Sequence, residues 1–217
     1  MNLTFDQPTL AFPQALTERH RPKNLCDFAG LAKPKAILEK LAAHPFPSAW
    51  LFLGPSGTGK TTMALALAEL MPAELHHVPS QECNVDTVRE VCRVCQYEPG
   101  FLAERRYARM HLVLVDEADA MSNAAQMAFL SKLDSTAKPP KTVFIFTANA
   151  TDRLQDRFLS RVQTLGFHGP NGELLPYLER VWKLEAPGVP VPDLSDLAAS
   201  GNVRDALMKL ELELMAV

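Results

Sequence analysis

No run of apolar residues in this 217-residue chain is long enough to cross a bilayer, and its first thirty residues hold three prolines and several charges. Neither a membrane span nor a conventional signal peptide is expected, and no membrane partner follows. Cysteine is scarce: Cys26, Cys83, Cys92 and Cys95 are the four. A chain of this length buries enough core to stand without staples, so they read as reduced thiols, and the expected compartment is the cytoplasm. An excess of one charge is lacking too. Twenty-two Lys and Arg face 25 Asp and Glu, a net −3. That argues against a strongly basic face, so contact with nucleic acid would need a local patch or one assembled across subunits. With 47% hydrophobic and 22% charged residues, the composition is that of one medium domain, or one domain plus a small appendage. No internal repeat or low-complexity segment is present.

Residues 1–15 mix Phe5, Leu10 and Phe12 with Pro8 and Pro13, a proline density that predicts an extended arm. Apolar spacing predicts a helix over Lys35 to Ala43. Ala49 to Leu53 is a short apolar run stopped by Gly54, as in a buried strand, and an Ala/Leu-rich helix follows from Thr61 to Leu70. A short strand is expected at Leu75 to Val78. Val85 to Val94 reads as a helix with Val85, Val88, Val91 and Cys92 on one face. His111 to Val115 and Thr142 to Thr147 are β-type runs of strands covered on both faces. Asn123 to Leu133 reads as a helix whose Met127, Phe129, Leu130 and Leu133 supply apolar contacts. Strands alternating with helices give an α/β fold with a parallel sheet. From about His168 the β signal fades into three helices, Glu173 to Leu184, Leu194 to Ala198 and Val203 to Leu214.

The chemistry concentrates in Gly54-Pro55-Ser56-Gly57-Thr58-Gly59-Lys60-Thr61-Thr62. Glycines at 54, 57 and 59 let consecutive N–H groups converge on phosphate oxygens, and the helix that follows adds its positive end. Lys60 can reach the β- and γ-phosphates of ATP, and the Thr61 hydroxyl is placed to ligate Mg²⁺. Asp116 and Glu117 close the strand ending at Val115. A carboxylate at such a tip holds the magnesium-bound water shell, the expected role of Asp116, and Glu117 can polarise an attacking water as a general base.

Together with the loop at 54–62, Asp116-Glu117-Ala118-Asp119-Ala120-Met121 resembles the nucleotide site of an AAA+ ATPase, most similar to sliding-clamp loaders of the replication factor C type. Arg21-Pro22-Lys23-Asn24-Leu25-Cys26-Asp27-Phe28-Ala29-Gly30 resembles the segment that wraps the adenine. Ser122 to Leu130, with Ala125-Gln126, resembles the helix after the acidic motif, and Val143 to Asn149 the strand ending in the sensor-1 residue. Asn149 is thereby the candidate for positioning the lytic water. Leu159-Ser160-Arg161 matches two of the three positions of the family's Ser-Arg-Cys signature, with Val162 in place of Cys. This implies that Arg161 is an arginine finger for a neighbouring subunit; a surface salt bridge is the alternative, since Asp152, Arg153, Asp156 and Arg157 crowd the same stretch. Gly201-Asn202-Val203-Arg204 resembles sensor 2, which puts Arg204 on the γ-phosphate of its own subunit; a capping Asn followed by an ordinary exposed Arg is the alternative.

The resemblance runs over roughly residues 16–215. It divides the chain into an N-terminal arm (1–15), a P-loop AAA+ domain (16–167) and a small helical lid (168–217). It implies ATP hydrolysis with Mg²⁺, partner AAA+ subunits, and DNA with a sliding clamp or other replication protein. Clamp loaders also carry a third helical domain, the collar, and these 217 residues stop after the lid, so no collar is expected in this chain. Two other readings share the phosphate loop: a nucleotide-gated adaptor with little turnover, and a small-molecule kinase. Cys83, Cys92 and Cys95 are reminiscent of the four-cysteine zinc module of some bacterial clamp loaders, but no fourth ligand follows in the expected place. His76-His77 reads as half core and half solvent, without a metal role. Arg105, Arg106 and Arg109 suit either a nucleic-acid backbone or a solvated face.

Overall fold

The computed structural model describes residues 14–100, 107–134, 137–169 and 172–216. The N-terminal arm up to Pro13, and Arg105 and Arg106, lie outside the described residues. Five strands, β1 (Ser48–Leu53), β2 (Ala73–Pro79), β3 (Met110–Asp116), β4 (Thr142–Ala148) and β5 (Gln163–Gly166), form one sheet in the order β2-β3-β4-β1-β5. All neighbouring strands run parallel.

The three central strands are buried almost throughout, and their residues alternate between two cores as a period of two requires. Ala49, Leu51, Val113, Val115, Phe144 and Phe146 point to one side. There α4 (Val85–Val94), α5 (Asn123–Leu133) and α6 (Asp156–Leu159) cover them. Trp50, Phe52, Leu112, Leu114, Val143 and Ile145 point to the other, under α2 (Ala32–Ala43) and α3 (Lys60–Leu70). On the first side Phe146 meets Phe129 and Phe158 edge-on, with ring centroids 5.1 and 4.8 Å apart.

A third core belongs to α7 (Leu174–Glu185), α8 (Ser195–Ala199) and α9 (Val203–Met215), with Leu178, Val181, Trp182, Leu207 and Leu210 at its centre. Leu16, fully buried on the short helix α1 (Leu16–Arg19), packs there rather than against the sheet. Arg19 and His20 reinforce the attachment by meeting the Glu185 carboxylate at 2.5 and 2.6 Å.

Most expected elements appear within one or two residues of their expected ends. The differences have local causes. Neither β5 nor α1 stands out in the sequence, since β5 is an edge strand with only Leu165 buried. Met127 does not supply the contact expected of it and is 48% exposed. At 100° per residue, the face that buries Ala125, Phe129 and Leu133 turns position 127 outward.

Gln126, by contrast, is completely buried. Its amide donates to the Arg153 carbonyl at 2.9 Å and accepts from the Gln155 N–H at 2.9 Å, pinning the loop after β4 to α5. Gln126→Leu keeps the volume but orphans both backbone groups. It is expected to lower stability by about 1–3 kcal/mol, read from the urea midpoint.

Candidate nucleotide site

β1, β3 and β4 end side by side, with Leu53 paired to Ala148 and Val115 to Phe146. The turns that follow them therefore share one edge of the sheet, the edge where open α/β sheets place ligands. The loop after β1 is shaped by its glycines. Gly57 and Gly59 take φ of +75° and +90°, and a Cβ on Gly54 would stand 2.1 Å from the Phe167 carbonyl oxygen. Thr58 is buried and donates its hydroxyl to the Pro55 carbonyl at 2.9 Å, closing the loop on itself. Gly59 hands the chain to α3, whose first residue is Lys60.

Lys60 is 8% exposed, and its ammonium donates to the carbonyls of Gly54 (2.7 Å) and Pro55 (2.8 Å) and to Asn149 Oδ1 (3.0 Å). Burial pulls its pKa below the usual lysine value. Asp119, Asp116 and Glu117 oppose the fall, and the neighbouring Arg204 adds to it. Asn149 follows β4, and its N–H donates to Asp119 Oδ2 at 3.2 Å.

Asp116 Oδ1 accepts two hydroxyls, Thr61 Oγ1 at 2.6 Å and Thr147 Oγ1 at 2.5 Å. Thr147 in turn accepts the N–H of Glu117 at 2.9 Å. This matters because Glu117 sits at φ +55°, ψ +48°, a left-handed conformation costing a non-glycine residue about 1 kcal/mol. The Glu117 side chain is exposed at the mouth of a cavity of about 90 Å³ that Ser56, Lys60, Thr61, Thr62, Asn149 and Arg204 also line. Thr147 was not singled out in the sequence. Its signal is a hydroxyl residue near the end of a strand whose middle is apolar.

A second cavity, of about 240 Å³, adjoins the first through Gly57, Gly59, Thr62 and Arg204. Arg21, Pro22 and Phe28 wall one side and Tyr177, Val203 and Leu207 of the helical unit the other. Thr58 lines it as well, whereas Gly54 and Pro55 line neither cavity and meet the site only through their carbonyls. Asn202 caps α9 by accepting the Asp205 N–H at 3.1 Å. Its amide also lies where a Cβ on Gly57 would be, 2.0 Å away. The cap of α9 thus sits directly on the phosphate loop and carries Arg204 with it.

Arg161 is not brought to this edge. Its Nε donates to Asp134 Oδ1 at 2.7 Å and its Nη1 to the Arg157 carbonyl at 2.8 Å. In the isolated chain it forms an ion pair, with a partner other than the nearby acids Asp152 and Asp156.

The model of the ATPase family associated with various cellular activities (AAA) matches residues 50–168. The chain belongs to the AAA family. Among its curated relatives, replication factor C small subunit 1 of Pyrobaculum arsenaticum is 32% identical over 202 residues, covering 90% of this chain and 60% of that protein. Replication factor C subunit 4 of Caenorhabditis elegans is 29% identical over 187 residues, covering 82% and 54%. The chain therefore spans little more than half the length of these relatives. Among solved structures, the Thermotoga maritima RuvB Holliday junction branch migration motor superposes with a TM-score of 0.67 at 18% identity, over 91% of this chain and 72% of that one. At that identity the likeness is one of fold: a parallel five-stranded sheet with helices beyond it.

AAA ATPases take a nucleotide, typically with Mg²⁺. The oxygen donors of Thr61 and Asp116, already converged, are of the kind a hard divalent cation requires. Thr147 holds the Asp116 carboxylate of that pair. Thr147→Val keeps the shape and removes both hydrogen bonds, so Mg²⁺-dependent affinity for a fluorescent ATP analogue is expected to fall about 10–100-fold. Affinity measured in chelator should change little.

Proposed function

We propose that the chain is an ATP-hydrolysing AAA+ subunit that works in a multimer on DNA, in the manner of a clamp-loader subunit, with a sliding clamp or other replication protein as its further partner. The observation that supports it best is the convergence of Lys60, Thr61, Asp116, Glu117 and Asn149 on one edge, under a helix that brings Arg204 to the same cavity. An adaptor that only binds nucleotide has no use for a carboxylate at position 117. The replication factor C relatives support the assignment to DNA replication. Residues 16–167 serve as the nucleotide-binding unit and 168–217 as the lid, which α1 joins through Leu16.

Each side chain then has a task. The loop from Gly54 to Gly59 and the start of α3 receive the phosphates. Thr61 and Asp116 would hold Mg²⁺, which would supply positive charge against the negative charge of the phosphates. Lys60 exchanges the Gly54 and Pro55 carbonyls for phosphate oxygens and releases Asn149 Oδ1 to orient a water. Glu117 takes the proton of that water as its oxygen bonds to the γ-phosphorus and the bond to the β-phosphate oxygen breaks. Arg204 meets the γ-phosphate from the lid of the same subunit, and Arg161 that of a neighbour. Arg21 and Pro22 flank the base in the larger cavity.

Glu117→Gln should retain ATP binding and lose turnover by roughly 10²–10⁴-fold, measured as phosphate release at high protein concentration. Equal turnover in the two proteins would sink the role of Glu117. An arginine acting across an interface makes the rate rise steeply with protein concentration. Arg161→Ala should lower it by roughly 10³-fold or more, and mixing Arg161→Ala with Lys60→Ala chains should restore part of it. A mixture as inactive as its components would remove Arg161 from the neighbouring site.

A further inference from the structure

A second polar cluster lies at the opposite end of the sheet from the nucleotide site. His111 stands five residues before Asp116 on β3, about 16 Å along the strand at 3.3 Å per residue. The β2–β3 register sets Glu74 opposite His111, and His76 lies two residues beyond Glu74 on the same face of β2. Cys95, the residue after α4, approaches from above; it is 0% exposed, and His111 is 1% exposed. One ligand atom each from His76, Cys95 and His111 falls within 4.8 Å of the other two. His76 Nε2 is 3.0 Å from His111 Nδ1, and Glu74 Oε2 is 3.4 Å from the same nitrogen.

We propose that Glu74, His76, Cys95 and His111 form a binding site for one zinc-like divalent transition-metal ion, separate from the nucleotide site. The hydrogen-bond pattern around His111 points to a cation. Its Nε2 lies 3.0 Å from the Tyr97 carbonyl oxygen. A carbonyl only accepts, so Nε2 carries the hydrogen and, in the neutral ring, Nδ1 presents a lone pair. That lone pair faces the Glu74 carboxylate, itself an acceptor that already takes the Gly100 N–H at 2.7 Å. His76 Nε2–H donates to that lone pair at 3.0 Å with the Glu74 carboxylate beside it as a second acceptor, and a metal ion satisfies both acceptors once His76 carries its hydrogen on the other ring nitrogen. A histidine whose far nitrogen is tied to a backbone carbonyl is also the usual second shell of a metal-bound imidazole.

The donor set suits the ion. Two imidazoles, a thiolate and a carboxylate select zinc or its close analogues over magnesium or calcium. With bonds of about 2.0–2.3 Å, tetrahedral zinc holds its ligand atoms about 3.3–3.8 Å apart, and the observed separations bracket that range. Binding is balanced without redox change. The Cys95 thiol gives its proton to solvent, and the hydrogen of His76 moves to Nδ1 so that Nε2 can ligate. The ion then ties the edge strand β2 and the end of α4 to the central strand β3. Cys83 and Cys92 are not ligands of this site.

The test is a titration of the whole chain, first stripped with chelator and then supplied with Co²⁺ or Zn²⁺. Co²⁺ should bind about once per chain and give tetrahedral d–d bands with a thiolate-to-cobalt charge-transfer band. Zn²⁺ should raise the unfolding temperature, and chelator should lower it again. Cys95→Ser should abolish the charge-transfer band, His111→Ala and Glu74→Gln should each weaken binding at least about tenfold, and Cys83→Ser and Cys92→Ser should leave the spectrum intact. Wild-type chain with no charge-transfer band and no metal-dependent unfolding temperature overturns the site whatever the variants do. A band that survives Cys95→Ser but is lost in Cys92→Ser overturns the ligand set.

Discussion

The Asp116 carboxylate ties together three pieces of chain that the sheet alone only brings near one another. One of its oxygens accepts a hydroxyl from Thr61, in the first turn of α3, and another from Thr147, at the tip of β4. Hydrogen bonds to an ionised acceptor are roughly twice as strong as neutral ones, so the height of α3 above the sheet is set from β3. Because Thr147 also accepts the Glu117 N–H, the same knot holds Glu117 in its left-handed backbone conformation. Lys60 precedes Thr61 by one residue, and its bonds to Gly54, Pro55 and Asn149 depend on where that first turn sits. The shape of the phosphate loop, the strained glutamate and the polar residue after β4 all follow from one carboxylate.

Around this knot the chain is assembled in two bodies that residues 16–31 join. Leu16 is buried among the helices beyond the sheet, while Leu25 and Phe28 are buried against the sheet itself. The Gly30 N–H reaches across to Glu173 at 2.7 Å. The larger cavity opens beneath this strap, so a base bound there touches the strap, the phosphate loop and α9 together. Lys60 and Arg204 are like charges placed close enough for Arg204 to depress the lysine's pKa. A polyphosphate between them turns that repulsion into two attractions. In the proposed mechanism this is the differential interaction that lets nucleotide state set the lid's position.

How much of this was legible in the sequence follows from which features are local. The glycine loop, Asp116-Glu117 and the buried strands announce themselves because each is a contiguous pattern whose spacing carries its geometry. Thr147 does not, since its meaning depends on a register that places it beside Asp116 in space, 31 residues away in the chain. Asn202 could be seen as a helix cap, but not as the group packed against Gly57. β5 was illegible for the opposite reason: Gln163 and Thr164 are exposed on an edge, so its hydrophobic pattern shrinks to one residue. Glu74, His76, Cys95 and His111 come from three separate segments, and no spacing rule gathers them. The cysteine pattern groups Cys95 instead with Cys83 and Cys92, whose thiols burial pushes up to about 11.

Arg161 makes an ion pair that is compatible with the proposed role at a neighbour's nucleotide. Beside Asp134 it forms the surface ion pair that its charged surroundings suggest, with side chains 32% and 49% exposed. Pairs that open to solvent contribute at most about 1 kcal/mol. The planar guanidinium gains more from a phosphoryl group, whose oxygens match its fork and carry greater charge. Nη2 takes no part in either present bond. In the proposed mechanism Asp134 holds the side chain at low cost in the single chain and yields it to a neighbour's nucleotide. The weakness of the pair is what makes it compatible with a role across an interface; a buried, fully desolvated pair at the same position would have excluded one.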